Sequence, residues 1–166
     1  MSTMNAPLSE HRGLYSAAEK ERRDNTRWTL VQGILAPLQF VIFLISLALV
    51  VRYLLTGEGY AIATWSIVIK TGVLYLIMIT GSIWEKVVFG QYLFAPAFFW
   101  EDVFSMAVLA LHTAYIIALF TSALGPQALM ILALAAYATY VVNAVQFVLK
   151  LRAARLQAAA MDEVPA

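Results

Sequence analysis

Two short stretches carry the side chains best suited to proton chemistry: Trp84-Glu85-Lys86 and Trp100-Glu101-Asp102, near the two ends of "SIWEKVVFGQYLFAPAFFWEDVF". Glu85, Glu101 and Asp102 are three carboxyl groups in an otherwise apolar neighbourhood. Such groups act as general acid and base when their surroundings push their protonation apart. The aromatic side chains between them, Phe89, Tyr92, Phe94 and Phe98, with Trp84 and Trp100, would wall a dry pocket or stack on a flat ligand. The chemistry open to such a set is proton transfer on an apolar substrate. A Glu–Lys pair that merely closes a turn is the structural alternative, as is an interfacial belt for the two Trp.

The rest of the chain says where that set must sit. Of 166 residues, 62% are hydrophobic and 13% charged, about half the charge of a soluble domain. The chain therefore reads as an all-α integral membrane protein. Four stretches are long and apolar enough to span a bilayer: about 28–53, 61–89, 96–120 and 127–149. "LTGEGY" and "SALGPQ" read as turns, and Pro37 is expected to kink the first span. A tail over 1–27 with a short interfacial helix, a four-helix membrane domain over 28–150 and a tail over 151–166 complete the division. Ser16 and Glu19 have the spacing of a capping box for that interfacial helix. Arg12, Lys20, Arg22, Arg23, Arg27, Lys86, Lys150, Arg152 and Arg155 fall at one end and only Arg52 at the other. This asymmetry predicts cytoplasmic termini and a cytoplasmic central hairpin.

Composition also excludes. With no Cys and only two His, His11 and His112, thiolate chemistry is ruled out and a multi-His metal site is not expected. A net charge of +1 gives no case for nucleic-acid binding. Each span carries one polar line: Gln32, Gln39 and Ser46; Lys70, Ser82 and Glu85; Glu101, Ser105 and His112; Thr139, Asn143, Gln146 and Lys150. Their spacing predicts four stripes turned toward a shared interior. Most would form interhelical hydrogen bonds. Lys70, near mid-membrane, needs a partner or a ligand.

Gly90 suits the end of the second span and Pro96 the first turn of the third. Glu85 and Glu101 then lie level, each about 7–8 Å from the turn, with Asp102 adjacent. Glu85 is near a helix C-terminus and Glu101 and Asp102 are near a helix N-terminus. A protonated Glu85 beside an ionised Glu101 or Asp102 is the expected outcome.

"RWTLVQGILAPLQF", "TGSIWEKVVFGQYLFAPAFFWEDVFSM", "LALHTAYIIALF" and "ALAAYATYVVNAVQFVLKLRAARL" together resemble the vinyl bacteriochlorophyllide hydratase family, over about 15–156. The resemblance implies addition of water to the 3-vinyl group of chlorophyllide a or a 3-vinyl bacteriochlorophyllide, with no redox cofactor. It implies a partner dehydrogenase that oxidises the resulting alcohol, and residence in the inner or intracytoplasmic membrane of a phototrophic bacterium. For that reaction the sequence offers Glu85 as the acid and Glu101 or Asp102 as the base, with the reverse assignment open. Trp84, Phe89, Tyr92, Phe94, Phe98 and Trp100 contact the macrocycle. Lys86, Lys150 or Arg152 holds the propionate, and Asn143 and Gln146 join the binding set. Magnesium belongs to the substrate, and His112 is its candidate axial ligand, although it lies about 16 Å along the helix from Glu101. Lipid and a homo-oligomer are the other expected partners. A non-catalytic chlorin-binding or assembly protein and a small four-helix transporter are the competing readings.

Overall fold

The computed structural model describes residues 13–162, with side chains to residue 160. Arg12 and His11 lie outside the described residues, as does the end of the C-terminal tail. Among the described residues five helices follow one another: α1 (Ala17–Asn25), α2 (Arg27–Thr56), α3 (Tyr60–Phe89), α4 (Phe99–Phe120) and α5 (Pro126–Asp162). The last four are long and apolar enough to cross a membrane.

Local chemistry sets most of the boundaries. Ser16 Oγ accepts from the Glu19 amide while the Glu19 carboxylate accepts from the Ser16 amide, so the expected capping box starts α1. Thr26 caps α2 through the Trp28 amide. Gly57 and Gly90 end α2 and α3 in the left-handed region, at φ 75° and 88°, where a Cβ would be strained. Pro37 sits inside α2 without breaking it.

Two boundaries differ from the sequence expectation. The third span starts at Phe99 rather than near Pro96. Residues 91–98 form a folded turn instead, because two of their amides are committed to side chains, as described below. The fourth span does not stop near Leu149, and α5 continues as one helix to Asp162. Nothing in "LKLRAARLQAAA" breaks a helix, so only the solvent changes there.

The helices pack as two antiparallel hairpins, α2 with α3 and α4 with α5. The polar stripes do turn inward. Gln32 donates to Thr80 at 2.7 Å, Ser46 bonds both Ser66 and Tyr137, and Tyr75 meets Thr113 at 2.8 Å. Side chains such as Phe43, Val50, Ile67, Leu74, Val108, Tyr115 and Met130 fill the space between them. Large apolar side chains including Leu55, Trp65, Ile79 and Phe120 point outward, an arrangement that only lipid would satisfy. The start of α2, the turn between α3 and α4 and the far part of α5 gather at one end. There α1 lies against α3, with Arg22 Nε donating to the Val88 carbonyl at 2.8 Å.

Candidate functional site: a carboxyl pair under the α3–α4 turn

At that end the chain leaves α3 through Gly90 and returns through a turn in which Phe94 has φ 59°. A bulky residue rarely adopts this conformation, and the turn uses it to aim two consecutive amides inward. The Phe94 amide donates to Asp102 Oδ2 at 2.8 Å, and the Ala95 amide donates to Glu85 Oε2 at 3.3 Å. Ala95 is fully buried, and Glu85, Glu101 and Asp102 are each at most 7% exposed. Consecutive amides of one turn therefore hold Glu85 and Asp102 side by side across the α3–α4 seam.

The sequence expectation set Glu85 level with Glu101. The structure brings Glu85 to Asp102 instead and turns Glu101 away. Neighbouring residues on a helix point about 100° apart, and Glu101 and Asp102 face different helices here. Asp102 faces α3. Glu101 faces α5, where its Oε2 meets Lys150 Nζ at 2.8 Å. The Glu101 carbonyl accepts from Ser105 Oγ and from Asn143 Nδ2, both at 2.8 Å, and Ser105 also donates to Asn143 Oδ1 at 3.1 Å.

The expected aromatic wall divides in two. Trp84, Phe89 and Phe98 form a cluster of edge-on rings with centroids 5.7–5.9 Å apart. Tyr15 stacks on Phe89 and Phe147 on Phe98. Trp84 Nε1 donates to Thr29 Oγ1 at 2.9 Å. Tyr92, Phe94 and Trp100 belong to the other set and are exposed on the outer surface, with Phe99 between Phe94 and Trp100. Lys86 does not pair with a carboxylate. Its ammonium donates to the Gly90 carbonyl at 2.7 Å and lies over the Tyr92 ring, so it caps α3. Lys150, between Glu101 and the Phe98 ring, is partly exposed. Gln146 Oε1 is buried without a hydrogen-bond partner.

His112 lies apart from this set, ten residues or about 15 Å along α4 from Asp102. It is fully buried, with Nδ1 bonded to the Val108 carbonyl and Nε2 facing Lys70 Nζ at 3.2 Å. Both ring nitrogens are therefore engaged, Nδ1 by Val108 and Nε2 by Lys70. The Lys70 ammonium rests 3.9 Å from the Tyr140 ring centroid and 5.1 Å from that of Tyr137. This answers what partners Lys70: an imidazole and aromatic faces, not a carboxylate.

Sequence reasoning did not single out Tyr15, Tyr137, Tyr140 or Phe147, nor the Phe94 and Ala95 amides. Tyr137 and Tyr140, three residues apart, carried a readable signal, since that spacing puts them on one face of α5. The amides carried none, because a backbone donor has no side-chain signature.

A family model of 2-vinyl bacteriochlorophyllide hydratase matches residues 15–153. A 2-vinyl bacteriochlorophyllide hydratase of Cereibacter sphaeroides is 69% identical over 152 residues, covering 91% of this chain and 94% of the relative. One of Rhodobacter capsulatus is 67% identical over 160 residues, covering 95% and 92%. No solved structure matches the chain. The matched span contains the whole carboxyl site, both its turn and the stretch of α5 that grips it, and the chain belongs to the 2-vinyl bacteriochlorophyllide hydratase family.

Proposed function

We propose that the protein adds water to the vinyl group of a magnesium chlorin or bacteriochlorin, chlorophyllide a or the corresponding vinyl bacteriochlorophyllide. The vinyl position is called 3 in systematic macrocycle numbering and 2 in the family's name. The observation that carries the mechanism is that consecutive amides of the strained turn hold Asp102 and Glu85 side by side. Family membership supports the reaction, and the carboxyl pair supplies a way to perform it.

Glu85, at the C-terminal end of α3, is the acid. It gives a proton to the terminal vinyl carbon, forming the C–H bond of a methyl group. The positive charge left on the inner carbon is delocalised into the macrocycle. Water attacks that carbon, and Asp102, in the first turn of α4 where a helix N-terminus favours negative charge, takes its proton. The product is the 1-hydroxyethyl chlorin. Asp102 now holds a proton and Glu85 lacks one. Held side by side by consecutive amides, the two carboxyls can pass that proton back, which restores the starting state. Each positioned group of this kind typically contributes 10²–10⁴-fold.

A flat apolar substrate would enter sideways from lipid, past the exposed Tyr92, Phe94 and Trp100. The basic residues at this end support a site on the cytoplasmic side of the membrane. A dehydrogenase acting on the secondary alcohol would consume the product. Purified protein in detergent, given a 3-vinyl chlorophyllide and no redox cofactor, should add one water by mass and shift the red absorption band to shorter wavelength. Pigment bound without the added mass would favour the chlorin-binding reading. Cation flux in vesicles without pigment binding would favour the transporter.

A further inference from the structure

The pair described above uses one of two adjacent acidic residues on α4, and the structure shows what separates them. Asn143 and Lys150 are seven residues apart on α5, close to two turns, and so share a face. Asn143 holds the Glu101 carbonyl and Lys150 holds the Glu101 carboxylate. Together they grip the first turn of α4 at two points. That grip fixes the rotation of the turn, and the rotation decides which carboxyl meets Glu85.

We infer that Lys150, with Asn143, is a positioning residue: it commits Glu101 to α5 and so leaves Asp102 as the sole partner of Glu85. This inference rests on the carboxyl-pair mechanism and adds the selection of its base. It also assigns Lys150 a role other than holding the substrate propionate.

The physical case is one of charge. Glu101 is 7% exposed and its carboxylate meets one cation, Lys150. Removing one partner of a buried ion pair leaves the other charge uncompensated, which is far more costly than removing both. Without Lys150, three carboxyl groups would crowd one small site, and Glu101 would compete with Asp102 for the proton of Glu85. Arginine would preserve the pairing, since it too donates to a carboxylate and stays charged.

The experiment uses the full chain in detergent or nanodiscs, with steady-state hydration of a 3-vinyl chlorophyllide and separate measurement of pigment binding. Lys150→Met should lower kcat at least tenfold and leave KM and pigment affinity within twofold. Lys150→Arg should recover kcat to within threefold of the parent. Glu101→Gln combined with Lys150→Met removes both charges and should recover part of the loss seen with Lys150→Met alone. The double variant also serves if the single one fails to fold. A raised KM with unchanged kcat in Lys150→Met would overturn the inference, because Lys150 would then be a substrate contact. So would a Lys150→Arg variant as impaired as Lys150→Met. Glu85→Gln and Asp102→Asn run alongside. If both retain turnover, the carboxyl-pair mechanism itself is wrong and the inference falls with it. If both abolish turnover while Lys150→Met is unaffected, only the inference fails.

Discussion

Replacing Asp102 by Asn separates base chemistry from geometry more cleanly than any other single change at this site. The amide is nearly isosteric with the carboxylate, and its carbonyl oxygen can still accept from the Phe94 amide, now 2.8 Å from Asp102 Oδ2. The turn and the fold should therefore persist. What disappears is the ability to take a proton from water. A positioned general base is worth about 10²–10⁴-fold, or roughly 2.7–5.5 kcal/mol of barrier. Turnover should fall into that range while pigment affinity changes little. Glu101→Gln provides the contrast. It removes a carboxyl of the same type one residue away, but one bonded to Lys150 on α5 rather than held by the turn beside Glu85, so its loss of kcat should be at least tenfold smaller. The assay is single-turnover hydration followed by the red absorption band. In D₂O the product methyl group should carry one solvent deuterium in every active variant, since the new C–H bond comes from an exchangeable acid. Equal losses in Asp102→Asn and Glu101→Gln would refute the assignment of the base. A methyl group free of solvent deuterium would refute the protonation step altogether.

Three further outcomes follow from other parts of the fold. His112→Leu should lower the thermal midpoint more than Lys70→Met, because it strands the Lys70 ammonium while the reverse change leaves only a neutral imidazole nitrogen unpaired. The double variant should be more stable than His112→Leu alone, a non-additivity that detergent melting curves would read. Gly90→Ala should cost about 1–2 kcal/mol. No atom beyond its own chain neighbours lies within 4 Å of the added Cβ, so the cost comes from φ 88°, and a melting temperature equal to the parent's would refute it. Ser16→Ala removes one half of the α1 capping box and should weaken α1 by about 0.5–2 kcal/mol, read as faster trypsin cleavage after Arg22 and Arg23.

The long apolar runs, the caps at Ser16 and Gly90 and the inward polar stripes were all legible in the sequence, because each depends on local spacing or on one residue's conformational preference. Which of the two candidates, Glu101 or Asp102, lies beside Glu85 was not. Counting from Gly90 and Pro96 placed Glu101 opposite it on the assumption that α4 begins at Pro96. The helix begins three residues later, at Phe99. Depth alone would still allow either acidic residue, since they differ by about 1.5 Å of rise. Direction decides between them, and direction is set by contacts remote in sequence. Asn143 and Lys150, on a helix more than 40 residues downstream, hold Glu101. The turn over 91–98 holds Asp102 and Glu85 through amides that no side chain announces. This also explains a bulky Phe at φ 59°, a costly conformation for such a residue. In that position consecutive amides reach carboxyls on two different helices. A relaxed turn would aim the Phe94 and Ala95 amides elsewhere and leave two buried carboxyl groups short of a donor, at a cost of about 1–3 kcal/mol each or more. The strain in the turn and the proximity of the two carboxyls are therefore one feature. A sequence pattern cannot display it, because it exists only where α3, α4 and α5 meet.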